Sequence, residues 1–240
     1  MAYVLGFIYA DGCVLDAKSS RAQYLMIASV DREILELIRG LLGSSHPIYR
    51  KAPESVRHRG DKVYESRESF RLRIGSREIY KDLTTFGLHP NKSKTILLPA
   101  IPTEFLPYFI RGYFDGDGCA SLNIEKNVNG KKVLKRLLVI FTSGSYKFLE
   151  ALSSILARKL LINEKRIYQS SSAFQLRYST NDSVRIFKFL YDSCPPELYL
   201  ERKLEIFSKY FNLRPSRVDP EVSSILNDVF RPGARVVRER

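Results

Sequence analysis

Apolar positions along the chain follow two periods. Ile34, Leu35, Leu37, Ile38, Leu41 and Leu42 recur at helix spacing, with Asp31 placed as an N-cap and Gly43 as the residue that ends the helix. Ahead of them, residues 13 to 18 and 21 to 29 alternate as strands do. The same order returns later, with strands near 119 to 126 and 132 to 142 and a helix from about 145 to 160 that carries Phe148, Leu149, Leu152, Ile155 and Leu156 on one face. Each half then gives another pair of strands and another helix, about 77 to 87 and 181 to 192. A final helix near 197 to 211 carries Leu200, Leu204, Phe207 and Phe211 on one side. On the stretch 69 to 74, Phe70, Leu72 and Ile74 face one way while Ser69, Arg71 and Arg73 face the other, giving the strand a buried and a polar face.

This recurrence is a repeat of sequence as well as of pattern. Val4-Leu5-Gly6-Phe7-Ile8-Tyr9-Ala10-Asp11-Gly12 reappears as Ile110-Arg111-Gly112-Tyr113-Phe114-Asp115-Gly116-Asp117-Gly118, an offset of 106. Ser69-Phe70-Arg71-Leu72-Arg73-Ile74 is echoed by Ala173-Phe174-Gln175-Leu176-Arg177-Tyr178 at an offset of 104. Residues 1–97 therefore form one half, residues 98–213 a second, and residues 214–240 an extension without a counterpart, in which one short helix fits near 221 to 230. The join is Leu98-Pro99-Ala100-Ile101-Pro102, where two prolines deny a helix.

Charge adds a partner to this picture. The 240 residues are 44% hydrophobic and 27% charged, a composition that excludes disorder and low complexity. Lys and Arg number 39 against 26 Asp and Glu, a net charge of +13, divided as +5, +6 and +2 over the three segments. Both halves should attract a polyanion, and nucleic acid leads as partner. The chain has neither an apolar run long enough to span a bilayer nor the pattern of a signal peptide, so the expectation is an intracellular protein of cytoplasm or organelle matrix, not secreted and not membrane-bound. Cys13, Cys119 and Cys194 form no C-x-x-C pair, which argues for a reducing compartment. His46, His58 and His89 all lie in the first half, which disfavours histidine chemistry at two equivalent sites.

The repeated segment itself carries the chemistry. Each copy is a short apolar helix with small residues four apart, Gly6 with Ala10 and Gly112 with Gly116, ending in Asp-Gly. Small residues at that spacing let two helix backbones approach closely, and pairing the copies would bring Asp11 and Asp117 together near a pseudo-two-fold axis. Two carboxylates so placed repel unless a hard divalent cation joins them, with Mg²⁺ the natural choice. An Asp-Gly pair also makes a plain helix-to-strand turn, but that account has to hold twice. Asp115-x-Asp117 does not open a calcium loop, because the sixth residue is Ala120 and the twelfth Lys126.

The two motifs resemble the paired LAGLIDADG signatures of single-chain homing endonucleases, and the element order after each is similar to that family's αββαββα unit over residues 1 to 211. The resemblance implies an α+β fold of two pseudo-symmetric units, with mixed or antiparallel sheets forming a saddle on the DNA major groove and the motif helices paired at the centre. It implies that Asp11 and Asp117 hold catalytic metal with the backbone carbonyls of Ala10 and Gly116, two or three Mg²⁺ ions being shared and Mn²⁺ or Ca²⁺ substituting for binding. One phosphodiester on each strand would be hydrolysed across the minor groove, leaving short 3′ overhangs. The family's basic residue matches Lys92 in Leu88-His89-Pro90-Asn91-Lys92-Ser93, with Lys94 a close alternative, and Lys203 in Leu200-Glu201-Arg202-Lys203. An ammonium there would stabilise charge on the phosphorane or orient the attacking water. The first motif departs from the pattern at Tyr9, where the second keeps Asp115.

The implied partner is a long duplex DNA site bound by a monomer. Arg71, Arg73, Gln175 and Arg177 are the base-reading candidates, since Arg and Gln suit bidentate readout of guanine and adenine, and Arg21 and Gln23 on the second strand join them. Arg57, Arg59, Lys62, Lys126, Lys131 and Lys132 fall in hairpin loops and suit phosphate contacts. Two rival functions use the same surface: an RNA maturase binding intron RNA, and a DNA-binding regulator that does not cleave. Retention of both acids and the lack of a helix-turn-helix after residue 213 argue against the regulator. The chain neither begins with a splice-type Cys or Ser nor ends in His-Asn, so the expectation is a free-standing enzyme.

Overall fold

The computed structural model describes residues 1–17, 22–57, 63–195 and 197–230. Two compact units divide the chain at an instructive place. Asp11–Lys92 form one unit, while Ala2–Ala10 pack with the residues from Ser93 onward.

In the first unit, strands β1 (Gly12–Ala17) and β2 (Ala22–Ser29) precede helix α2 (Arg32–Leu41), then come β3 (Ile48–Lys51), β4 (Ser55–Arg57), β5 (Val63–Glu65), β6 (Ser69–Gly75) and helix α3 (Arg77–Thr85). β1, β2, β6 and β3 make one antiparallel sheet in that order, and β4 with β5 make a separate small hairpin. One face buries Val14, Leu25, Ile27, Leu72 and Ile74 against Ile34, Leu35 and Ile38 of α2. Asp31 takes the N-cap position with extended backbone, and Gly43 follows the helix at φ +59°, the left-handed conformation a glycine adopts without strain.

The second unit repeats this plan, with most of its elements longer. Helix α4 (Leu106–Asp117) leads into β7 (Gly118–Lys126) and β8 (Lys132–Ser143), followed by α5 (Tyr146–Leu160), β9 (Ile167–Ser170), β10 (Ala173–Ser179), α6 (Thr180–Tyr191), α7 (Glu201–Leu213) and α8 (Pro220–Val229). The sheet order β7-β8-β10-β9 matches the first unit strand for strand, and every pairing is antiparallel. Leu137, Val139, Phe141, Leu176 and Tyr178 face inward against Phe148, Leu152 and Leu156 of α5 and Ile186, Phe187 and Leu190 of α6. The Ser145 hydroxyl caps α5 by accepting from the Phe148 N–H at 3.3 Å. The extension folds onto this unit: Val222, Ile225 and Val229 are buried, and Lys188 reaches Asp219 and Glu221, each at 2.6 Å. Among the described residues, no helix is long and apolar enough to cross a membrane.

Helix α1 (Ala2–Asp11) is apolar nearly all round, and its packing follows from that. Tyr3, Val4, Phe7, Ile8 and Tyr9 are buried, and Tyr9 meets Phe109 of α4 edge to face at 5.2 Å. At the crossing the two backbones touch. A Cβ on Gly6 would lie 1.9 Å from the Phe109 carbonyl oxygen, and one on Gly112 would lie 2.0 Å from that of Tyr3. Neither obstacle is a side chain that can swing away, so only glycine permits the contact.

Gly112→Ala should therefore cost about 3 kcal/mol of stability by urea unfolding, the upper part of the range for overpacking. Gly40→Ala, at an exposed position of α2 with nothing within 4 Å of the new Cβ, should instead stabilise by about 0.5 kcal/mol. Opposite signs at the two glycines separate a backbone contact from helix propensity.

Candidate active site and nucleic-acid interface

Both motif helices run directly into strands. α1 ends at Asp11 and β1 starts at Gly12; α4 ends at Asp117 and β7 starts at Gly118. A side chain on Gly118 would meet the Phe114 carbonyl oxygen at 2.5 Å, so the glycine of Asp-Gly is a steric requirement of this abrupt exit. It leaves the Asp117 side chain at the last helical position and exposed, while Asp11 is half-buried. Gly6 and Gly112 each stand five residues before the terminal acid in sequence.

The exit of α4 is held from below by α7. Lys203 is only 5% exposed, and its Nζ donates to the carbonyl oxygens of Phe114 at 2.5 Å, Asp115 at 2.7 Å, Gly118 at 2.7 Å and Gly116 at 3.3 Å. The Asp115 and Gly116 carbonyls belong to the last turn of α4, where a cation is also favoured by the helix dipole, while that of Phe114 already accepts from the Gly118 N–H and that of Gly118 opens β7. The ammonium expected to act beside a phosphate is thus bound to the backbone that carries Asp117. The Gly116 carbonyl, expected as a metal ligand, receives the longest of the four bonds.

One turn back, Asp115 is fully buried. Its Oδ2 accepts from the Tyr3 hydroxyl at 2.7 Å and from the N–H of Leu200, the N-cap residue of α7, at 3.0 Å. Arg111 is buried close by, donating from Nε to the Leu198 carbonyl at 2.7 Å and from Nη1 to that of Leu190. Asp115 Oδ1, Arg111 Nη2 and the Tyr191 hydroxyl are buried with no hydrogen-bond partner among the described residues. Burial pushes the Asp115 carboxyl up to about 6, and the Lys203 charge, the Tyr3 and Leu200 hydrogen bonds and the Arg111 charge only partly offset it.

In the first unit Lys92 is likewise 5% exposed, whereas Lys94 is exposed, which separates the two candidates by burial. Lys92 lies near Cys13, two residues beyond Asp11: burial raises the Cys13 thiol pKa and the Lys92 charge draws it back.

No group of three or more Asp, Glu, His or Cys side chains gathers among the described residues. A closed, all-protein metal cage is thus not what these residues build. A carboxylate with a backbone carbonyl is the partial set by which Mg²⁺ is held when phosphate oxygens and water complete its shell, and each motif end, Asp11 with Ala10 or Asp117 with Gly116, offers donors of that chemistry.

Each sheet presents a second face away from its core. Arg71 and Arg73 are exposed there, with the Arg73 guanidinium stacked 3.7 Å over the Tyr24 ring. Arg177 is exposed on β10, donates to Gln175 Oε1 from Nε at 3.0 Å and Nη2 at 2.6 Å, and lies 5.2 Å from the centre of the Tyr168 ring. Register exposes a pairing the sequence pattern does not reveal: Arg71 stands opposite Tyr49 and Gln175 opposite Tyr168, the same arrangement in both units. Gln23 shares the parity of Leu25 and Ile27 and pairs with Asp16, which puts it on the face opposite Arg71 and Arg73. Lys126 and Lys132 close the β7–β8 ladder and Lys131 sits in its turn, all three exposed. Arg57 ends β4 opposite Val63, while Arg21, Arg59 and Lys62 lie outside the described residues.

Comparison with known proteins agrees with this geometry. Residues 104–190 match the model of the LAGLIDADG-like domain. Among solved structures, the I-LtrWI LAGLIDADG homing endonuclease bound to target DNA is 13% identical, with 98% of each chain covered and a TM-score of 0.58. The LAGLIDADG meganuclease I-CpaMI bound to uncleaved DNA is 14% identical over 95% of this chain and 96% of its own, also with a TM-score of 0.58. I-SmaMI bound to an uncleaved DNA target in the presence of calcium ions is 13% identical over 95% of each chain, with a TM-score of 0.52. This chain has the LAGLIDADG meganuclease fold. A curated relative, the DNA-directed RNA polymerase subunit Rpo1C of Methanocaldococcus jannaschii, is 29% identical over 160 residues, 65% of this chain. The chain spans only 15% of that protein's length.

Within the LAGLIDADG fold, the buried Asp115 makes the stability of the second unit depend on pH. Its folded pKa lies above its unfolded one, so the folded state takes up the proton first and the wild type gains stability as pH falls from about 6 towards 4. Asp115→Asn should be at least as stable as the wild type at pH 7.5, and that difference should shift in favour of the wild type over this interval in thermal melts at each pH. A constant difference would mean that Asp115 does not titrate there.

Proposed function

We propose that the chain is a site-specific, metal-dependent DNA endonuclease that makes a double-strand break in a long duplex site. It hydrolyses one phosphodiester on each strand across the minor groove and leaves short 3′ overhangs. The observation that carries this reading is the glycine crossing of α1 with α4, each helix having its Asp-Gly five residues after the crossing glycine in sequence. An arginine stacked on a tyrosine on the outer face of each sheet, in a fold shared with proteins solved on DNA, supports the partner.

Asp11 and Asp117 are the carboxylates proposed to hold divalent metal, with the Ala10 and Gly116 carbonyls as further oxygens. The bound ion would supply a water of lowered pKa and neutralise charge on the scissile phosphate. Lys203 holds the backbone that carries Asp117, and the buried charges of Lys92 and Lys203 would favour a phosphate near the acids. Arg71, Arg73, Gln175 and Arg177 read base edges; Lys126, Lys131 and Lys132 at the hairpin end contact phosphates, so that binding weakens as salt is raised. Mg²⁺ is the working ion in this scheme and the protein acts as a monomer.

Incubation with a randomised duplex library and Mg²⁺, followed by sequencing of linear products, should return one family of sites with short 3′ ends. Asp11→Asn combined with Asp117→Asn should abolish cutting while salt-sensitive duplex binding persists. Binding without any break in the wild type would contradict the enzyme and favour a scaffold for RNA or DNA.

A further inference from the structure

We propose that Asp115 is a positioning residue for the Asp117 centre alone, so that the two metal-binding ends of this protein are unequal. The inference rests on the reading of Asp117 as a metal-holding carboxylate and extends it to residues that the family motif treats as equivalent.

The geometry is a reciprocal clamp between two helix ends. The Asp115 carboxylate accepts from the Leu200 N–H where α7 begins, so an anion meets the positive end of a helix. Three residues into α7, the Lys203 ammonium returns to three carbonyls in the last turn of α4 and to that of Gly118 beyond it, so a cation meets the negative end of the other helix. Tyr3 ties the same carboxylate to α1. Each contact fixes the place where α4 gives way to β7, and Asp117 is the last residue before that exit. The carboxylate is also a costly one to bury, with one oxygen and its neighbours Arg111 Nη2 and Tyr191 OH left unpaired among the described residues. Packing alone would be served better by an apolar side chain there.

The first motif carries Tyr9 at the matching position. A phenol is neutral at working pH and offers no anion to a helix N-terminus. Its ring is engaged with Phe109 and Phe148 of the second unit. Lys92 is buried as Lys203 is, but the motif position that carries the carboxylate in the second half is a tyrosine in the first.

Mn²⁺ titration of the full chain by calorimetry tests this. Asp11→Asn leaves the Asp117 centre to report, and Asp117→Asn leaves the Asp11 centre. Adding Asp115→Asn should weaken Mn²⁺ binding about tenfold in the Asp11→Asn background, the scale at which groups that orient metal ligands act, and leave it unchanged in the Asp117→Asn background. Tyr3→Phe, which removes one donor and keeps the carboxylate, should shift the same background in the same direction by less. Equal loss in both backgrounds would make Asp115 a general structural residue and overturn the proposal, as would no loss in either. A wild type whose Mn²⁺ binding is insensitive to both Asp11→Asn and Asp117→Asn would overturn the metal assignment itself, and this inference with it.

Discussion

Two helix backbones in direct contact leave no room for adjustment, and the second unit is organised around that fact. Where Gly6 meets the Phe109 carbonyl and Gly112 meets that of Tyr3, the separation of α1 and α4 is set by main-chain atoms, not by side chains that could repack. The helix sequences follow from this. α1 has to be apolar on nearly every side, because it packs with a unit whose other elements come from residues beyond Ser93. Both helices end in Asp-Gly because each chain turns at once into the first strand of a sheet, and only glycine clears the preceding turn at Gly118.

A helix that stops abruptly leaves carbonyls without partners, and Lys203 answers this directly. Burying an ammonium is costly unless it is saturated with acceptors, and four carbonyls within 3.3 Å saturate it. The partial charge at the end of α4 and the full charge on Lys203 hold each other in place. Asp115 differs, because one of its oxygens finds no partner among the described residues and its carboxyl is pushed up to about 6. A group that is unfavourable where it sits is better explained by what it orients than by what it stabilises.

Much of this was legible in the residues. The four-residue spacing of small side chains announced the helix pair, and the alternation on 69 to 74 placed Arg71 and Arg73 away from the core, where they lie. Most elements begin within a residue or two of their predicted positions; α7 starts later, at Glu201, since its first turn is defined by a bond from Leu200 to Asp115, which no local pattern encodes. The burial of Lys203 was hidden for the same reason, because a lysine in the first turn of a helix reads as a solvated one until its tertiary partners are known. Tyr49 and Tyr168 became visible as a repeated pair only through strand register. Counting in twos back from Leu25 would have placed Gln23 on the inner face, so that face was readable from the pattern itself.

Asp11 and Asp117, the two motif acids, are the proposed holders of divalent metal. Anomalous diffraction from crystals grown with Mn²⁺ and a duplex site would test that assignment most directly. Peaks in contact with the carboxylate oxygens of Asp11 and Asp117 are the expected result. Manganese bound only at other side chains, with both motif acids free of it, would contradict the account.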